Sequence, residues 1–265
     1  MKQTLPLEVH ELMQVFLHLL HTNFSEDLVE GVYVYGSTAI GAFEREKSDI
    51  DFVVLLKRAV SKKEIEALKR VHFQLTKEKF GKRLDGMYIL KDDIGKTNDA
   101  LAPYPYCSEG SIEIGHWDIN HITWWVLKNH GIVLQGTSIK ELNIATKWED
   151  VSETLKYNIN EYWYSKTKEV WDSASDEMVE FTTTTICRIL YSLNNKEIIS
   201  KKIALEVGLA TLPECWQPLL MEGLRIRGSI QTQSLFDTES LRAEACRDFV
   251  LYAYELCNDR YFLEV

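Results

Sequence analysis

The sequence predicts an α+β protein: a small mixed sheet with flanking helices, followed by an all-α helical bundle. Three observations predict it. Short apolar runs of strand character occur at residues 32–35, 49–56 and 84–90, all in the first half of the chain. Segments with helical spacing of apolar residues precede and separate them. After about residue 140 the strand signals fade and only helical candidates remain. The change falls near residue 145, which divides the chain into a domain over 1–145 and a helical domain over 146–265.

Taken in order, residues 7–22 carry Leu7, Leu12, Val15, Phe16, Leu19 and Leu20 at roughly helical spacing. Val32-Tyr33-Val34-Tyr35 reads as a strand stopped by Gly36, and 49–56 as a second strand. Ser61-Lys62-Lys63-Glu64 is a capping box, in which hydroxyl and carboxylate each satisfy a backbone donor at a helix start. The helix behind it places Ile65, Leu68, His72 and Leu75 on one face, and Gly81 is expected to end it. Residues 84–90 form a third strand. The stretch 91–115, with Pro103 and Pro105, reads mainly as loop. A helix over 119–129, ended near Gly131, closes the first half. Helices are expected at 151–171, 177–194, 200–207, 216–227 and 238–261 in the second.

Composition narrows the class. An apolar fraction of 45% over 265 residues is that of a globular chain able to bury a core. No apolar run approaches a membrane span, and the start lacks the apolar segment of a signal peptide, so a cytoplasmic location is expected. The formal charge of −10 argues against a nucleic-acid partner and suits a cationic small substrate or Mg²⁺, although acidity often serves solubility alone. The five cysteines are scattered, without a Cys-x-x-Cys pair, which argues against structural zinc and a disulfide framework. His116, His121 and His130 lack the i, i+4 spacing that puts two ligands on one helical face, and Trp124-Trp125 reads as core packing.

The chemistry is concentrated in Val32-Tyr-Val-Tyr-Gly36-Ser37, followed after about a dozen residues by Ser48-Asp49-Ile50-Asp51-Phe52. Glycine after a strand lets backbone approach a ligand, and successive amides at a helix start hold phosphate oxygens. In a strand, residues two apart share a face. Asp49 and Asp51 therefore bring like charges together, and a cation between them relieves the repulsion. Mg²⁺ meets that need, taking carboxylate oxygens together with those of a triphosphate. Asp-x-Asp alone is ordinarily a solvated strand face, and Gly-Ser alone a plain turn. Their conjunction, on consecutive strands, points to phosphate and metal chemistry.

The pattern resembles the nucleotidyltransferase superfamily of the DNA polymerase β type, and more closely the bacterial aminoglycoside adenylyltransferases that modify streptomycin and spectinomycin. The resemblance implies a polymerase-β-like domain followed by a helical domain that binds nucleotide and substrate. It implies that Gly36 and Ser37 bind the nucleotide, that Asp49 and Asp51 hold Mg²⁺, and that ATP is the co-substrate. Asp85, in Lys82-Arg83-Leu84-Asp85, stands where the family has a third carboxylate, often Glu. It is expected to act as catalytic base or as a third metal ligand. Ile114-Gly115-His116-Trp117 resembles the family segment whose Trp packs on the drug. Cys187-Arg188-Ile189-Leu190 and Ile198-Ile199-Ser200-Lys201 resemble two second-domain segments, so Arg188 and Lys201 are expected at the nucleotide phosphates, although the family usually has Pro where Ser200 stands. Glu177 and Glu180 are candidates for the amino groups of the substrate. The implied reaction is transfer of AMP to a hydroxyl of a cationic antibiotic. A protein or RNA acceptor, and a non-catalytic nucleotide-binding protein, are the alternatives.

Overall fold

The computed structural model describes residues 4–169, 171–230 and 233–262. The chain divides into two compact units, Met1–Lys147 and Trp148–Val265.

The first unit opens with helix α1 (Leu7–Asn23), whose Val9, Leu12, Met13, Phe16 and Leu20 are buried. Strand β1 (Val29–Val34) leads to a single turn, α2 (Gly36–Ala39). Strand β2 (Ile50–Leu56) is followed by α3 (Lys62–Leu75), which begins with the capping box formed by Ser61 and Glu64. Strand β3 (Leu84–Leu90) runs parallel to β2, with Ile50 beside Leu84, Asp51 beside Asp85 and Phe52 beside Gly86. A right-handed crossover through a helix is the usual way to make two such strands parallel. Strands β4 (Tyr104–Ser108) and β5 (Ser111–Gly115) form a hairpin, α4 (His121–His130) follows, and β6 (Ile132–Gln135) returns to pair with β1. The sheet order is β5-β4-β3-β2-β1-β6, antiparallel everywhere except between β2 and β3.

One face of this sheet carries the main core. Val32, Val34, Ile50, Phe52, Val54, Leu84 and Tyr88 pack with the buried faces of α1 and α3. Period-two alternation then turns Asp51 and Asp85 to the opposite face. His72 of α3 is fully buried within the core. Its Nε2 lies 2.6 Å from the Tyr88 hydroxyl and its Nδ1 3.0 Å from Cys107 Sγ, which itself donates to the Leu84 carbonyl. That arrangement is satisfied by a neutral imidazole, with Nδ1–H donating to sulfur and Nε2 accepting from tyrosine. Burial holds the His72 pKa down at about 3.

Three local features differ from the sequence expectation. The stretch read as loop contains the β4–β5 hairpin. Its turn places Glu109 and Gly110 at φ 51° and 79°, the paired positive values of a tight hairpin turn. Pro105 is tolerated in β4 because the β3 pairing involves only Tyr106 and Cys107. The strand β6, four residues long, is too short to give a strand signal in the sequence. Helix α3 ends at Leu75 and not at Gly81, which belongs to the next turn, where a side chain would strike the Leu75 carbonyl.

The second unit is helical. Helix α5 (Trp148–Tyr157) runs through a π-helical segment, Asn158–Trp163, into α6 (Tyr164–Lys166). Helices α7 (Asp176–Asn195), α8 (Lys201–Thr211), α9 (Gln217–Arg227) and α10 (Glu239–Arg260) follow. Helix α7 is central, with Thr182, Thr183 and Thr184 buried together. Thr183 and Thr184 return their hydroxyls to the Val179 and Glu180 carbonyls of their own helix. Gly223 lets α9 approach closely, since a side chain there would meet Thr183 Oγ1 at 2.4 Å. Fully buried Glu222 accepts from Arg225 Nε at 2.9 Å and from Arg242 Nη1 at 3.1 Å. Burial alone would raise the pKa of Glu222. Hydrogen bonds from Arg225, Ser234, the Leu235 amide and Arg242 bring it down instead, to about 2.

No helix among the described residues is long and apolar enough to cross a membrane. The cysteines are all free thiols, and four of the five are buried.

Candidate active site

The topology brings the end of β1 beside the starts of β2 and β3. The Tyr35 amide donates to the Asp51 carbonyl at 3.0 Å, which ties the Gly-Ser turn to β2. Gly36 adopts φ +63° and begins α2. A methyl group at position 36 would lie 1.8 Å from Asp51 Oδ2, so the site needs glycine for both backbone angle and space. The Ser37 backbone N–H, expected at a phosphate, acts here on the Asp51 carboxylate and lowers its pKa.

Asp51 and Asp85 are in-register partners on adjacent parallel strands, so both carboxylates stand on one face. Asp49 immediately precedes β2, and its charge acts on both of the others. Burial, with the negative charges of Asp85, Asp49 and Asp118, raises the Asp51 pKa to about 7 despite the Ser37 amide. Asp85 is raised to about 6, chiefly by burial and further by Asp49 and Asp118, while a hydrogen bond from Trp117 pulls it down. Crowded carboxylates of raised pKa are the signature of a place where positive charge is wanted. Among the described residues no three His, Cys, Asp or Glu side chains form a metal cage by themselves. Magnesium fits this donor set in its usual manner, on one or two carboxylates with the remaining positions taken by phosphate and water oxygens.

The segment leading into Asp49 is held by Arg83. Its guanidinium donates to the carbonyls of Arg45 and Ser48 and lies over the rings of Phe43 and Phe80. The Ser48 hydroxyl accepts from the Glu44 amide at 2.8 Å.

Trp117 reaches the acidic group directly: its indole Nε1–H donates to Asp85 Oδ1 at 2.6 Å. The ring stacks on Tyr106, with centroids 4.8 Å apart and planes 6° from parallel. One indole face is therefore already covered. Sequence reading missed Asp118, Tyr104, Tyr106 and Asn98. The position of Asp118 next to Trp117 was a usable signal, whereas the other three lay in the stretch read as loop.

The remaining candidates belong to the helical unit. Arg188 lies on α7 and donates from Nε to the Ile199 carbonyl at 3.1 Å, which joins it to the segment opening α8. Lys201 is the exposed first residue of α8, behind the Ser200 cap, whose side chain accepts from the Ile203 amide. The serine hydroxyl thereby satisfies one of the free backbone donors at this helix start. Glu177 is exposed in the first turn of α7, while Glu180 is paired with Arg227 of α9.

Comparison with known proteins bears on the fold and the family. A nucleotidyltransferase domain model matches residues 18–104, and a model of the aminoglycoside adenylyltransferase C-terminal domain matches residues 158–253. Aminoglycoside (3'')(9) adenylyltransferases of Klebsiella pneumoniae and Shigella flexneri are each 24% identical to the chain over 260 residues, covering 86% of it and 87% of the relative. The solved structure of a spectinomycin adenyltransferase from Enterococcus faecialis, with ATP and spectinomycin, shares the fold. Its TM-score is 0.64 at 16% identity, over 91% of this chain and 99% of that one. Fold and matched domains together define a nucleotidyltransferase enzyme. The chain belongs to the aminoglycoside adenylyltransferase family.

Proposed function

We propose that the enzyme transfers AMP from ATP to a hydroxyl of a cationic antibiotic of the streptomycin or spectinomycin type, releasing pyrophosphate. The observation that carries this reading is the in-register pair Asp51 and Asp85 beside the Gly36-Ser37 turn, three elements meeting at one acidic point. Gly36 and Ser37 would bring backbone close to the triphosphate. Asp49 and Asp51 would hold Mg²⁺, which supplies neutralising charge to the phosphates and to the leaving group. Asp85 takes the proton of the acceptor hydroxyl as its oxygen attacks the α-phosphorus. The new P–O bond forms as the bond to the β-phosphate bridging oxygen breaks, and pyrophosphate leaves with that electron pair. Arg188 and Lys201 are proposed to offset charge on the phosphates. Trp117 and the acids Glu177 and Glu180 are proposed to meet the antibiotic. Glu177 is the exposed one, and Glu180 would share its carboxylate with Arg227. A reaction that consumes ATP suits the cytoplasm.

The test is incubation with labelled ATP, Mg²⁺ and a panel containing streptomycin and spectinomycin. Label should pass to one of these drugs, and Asp49→Asn and Asp51→Asn should each lower the rate by about a hundredfold or more. Near wild-type transfer by Asp49→Asn would defeat the metal assignment. Labelling of protein or RNA alone would move the acceptor to another class.

A further inference from the structure

We infer that Trp117 is a positioning residue for Asp85: its indole N–H fixes one carboxylate oxygen, so that Oδ2 is the oxygen presented to the acceptor hydroxyl. The inference rests on the reading of Asp85 as the base. It adds a task for Trp117 distinct from packing on a substrate.

The geometry is specific. Asp85 has one short, two-bond reach from its backbone, and β3 fixes that backbone through full pairing with β2. What β3 leaves undetermined is the pair of side-chain rotations that sets where the carboxylate oxygens lie. The 2.6 Å bond from Nε1–H to Oδ1 removes that freedom. A hydrogen bond can do so only if its donor is itself held, and Trp117 is held at three points. Its backbone N–H donates to the Tyr104 hydroxyl at 2.7 Å. Its carbonyl accepts from Asn98 Nδ2 at 2.5 Å, and the Tyr104 hydroxyl donates in turn to Asn98 Oδ1 at 2.9 Å. Its ring lies flat on Tyr106. Tyr104 and Tyr106 both belong to β4, so the support for Asp85 passes from a neighbouring strand of the same sheet. A tryptophan needed only for an apolar contact would not require a donor aimed at a carboxylate.

Two measurements test the inference. In a nitrogen-15 labelled sample the seven tryptophans give seven indole N–H resonances, and Trp117→Phe identifies the one at issue. Asp85→Ala should displace that resonance strongly and leave the other six nearly unmoved. A Trp117 resonance indifferent to Asp85→Ala would overturn the inference, whatever the enzyme transfers. The second measurement replaces Trp117 by benzothienylalanine, which keeps ring size and stacking and has sulfur in place of N–H. The expected result is a kcat lower by roughly ten- to a hundredfold, with the acceptor KM within about twofold and an unchanged melting temperature. An unchanged kcat would reduce Trp117 to a packing residue. Absence of transfer in the wild-type protein itself would fault the proposed function and leave the resonance test standing.

Discussion

At the scale of single residues, the site is defined by tolerances smaller than a methyl group. Gly36 faces Asp51 so closely that any side chain must displace either the carboxylate or the turn. The positive φ adds backbone strain for any residue other than glycine. Gly36→Ala should therefore lose transfer activity by more than about tenfold and destabilise the protein by about 1–3 kcal/mol. Parallel activity assays and urea unfolding would check both parts. The glycine was legible in the sequence because a strand pattern runs directly into it. Its reason was not, since contact with Asp51 arises across a strand pair and leaves no local mark.

At the scale of elements, legibility followed the length of the periodic signal. Helix α1 and the capped start of α3 stand in the sequence with enough repeats, or a specific enough motif, to be read. The hairpin β4–β5 is short, carries Pro105, and turns on Glu-Gly where Asn-Gly or Asp-Gly would announce the turn. Missing it concealed the platform beneath Trp117. The acid pair Asp51 and Asp85 shows the converse: each strand was read separately, and the pairing that aligns them was invisible. In the helical unit, Glu222 of α9 binds Arg242 of α10, which also reaches Asp176 of α7 at 2.7 Å. Three helices are thus joined through the buried Arg242 guanidinium. Removing one member leaves its buried partners uncompensated, so Glu222→Ala should cost about 3–5 kcal/mol. A thermal melt of the variant, with the helical circular dichroism signal compared at low temperature, would measure it.

At the scale of the whole molecule, stability should carry an imprint of His72. Its folded pKa of about 3 lies below the ordinary histidine value near 6.5. Between these values the unfolded chain binds a proton that the folded chain refuses. The contribution is intact above pH 6.5 and is lost as pH falls, at up to about 1.4 kcal/mol per pH unit. Urea unfolding at pH 7, 5.5 and 4.5 should show stability falling with acidity. His72→Phe should flatten that dependence while costing about 1–3 kcal/mol at neutral pH through the stranded Tyr88 hydroxyl. An equal slope in the two proteins would place the acid sensitivity elsewhere.

The one parallel pairing in the sheet has a consequence for how activity is acquired. Asp51 and Asp85 become neighbours only when β2 and β3, separated by the whole of α3, dock in the right register. A slip by one residue would set Asp85 beside a different neighbour and turn its side chain toward the main core. Such a chain would keep nearly all its secondary structure. Recovered catalysis during refolding is therefore a finer gauge of correct assembly than recovered helicity, and it should lag behind it, because distant strand pairing is the slow event.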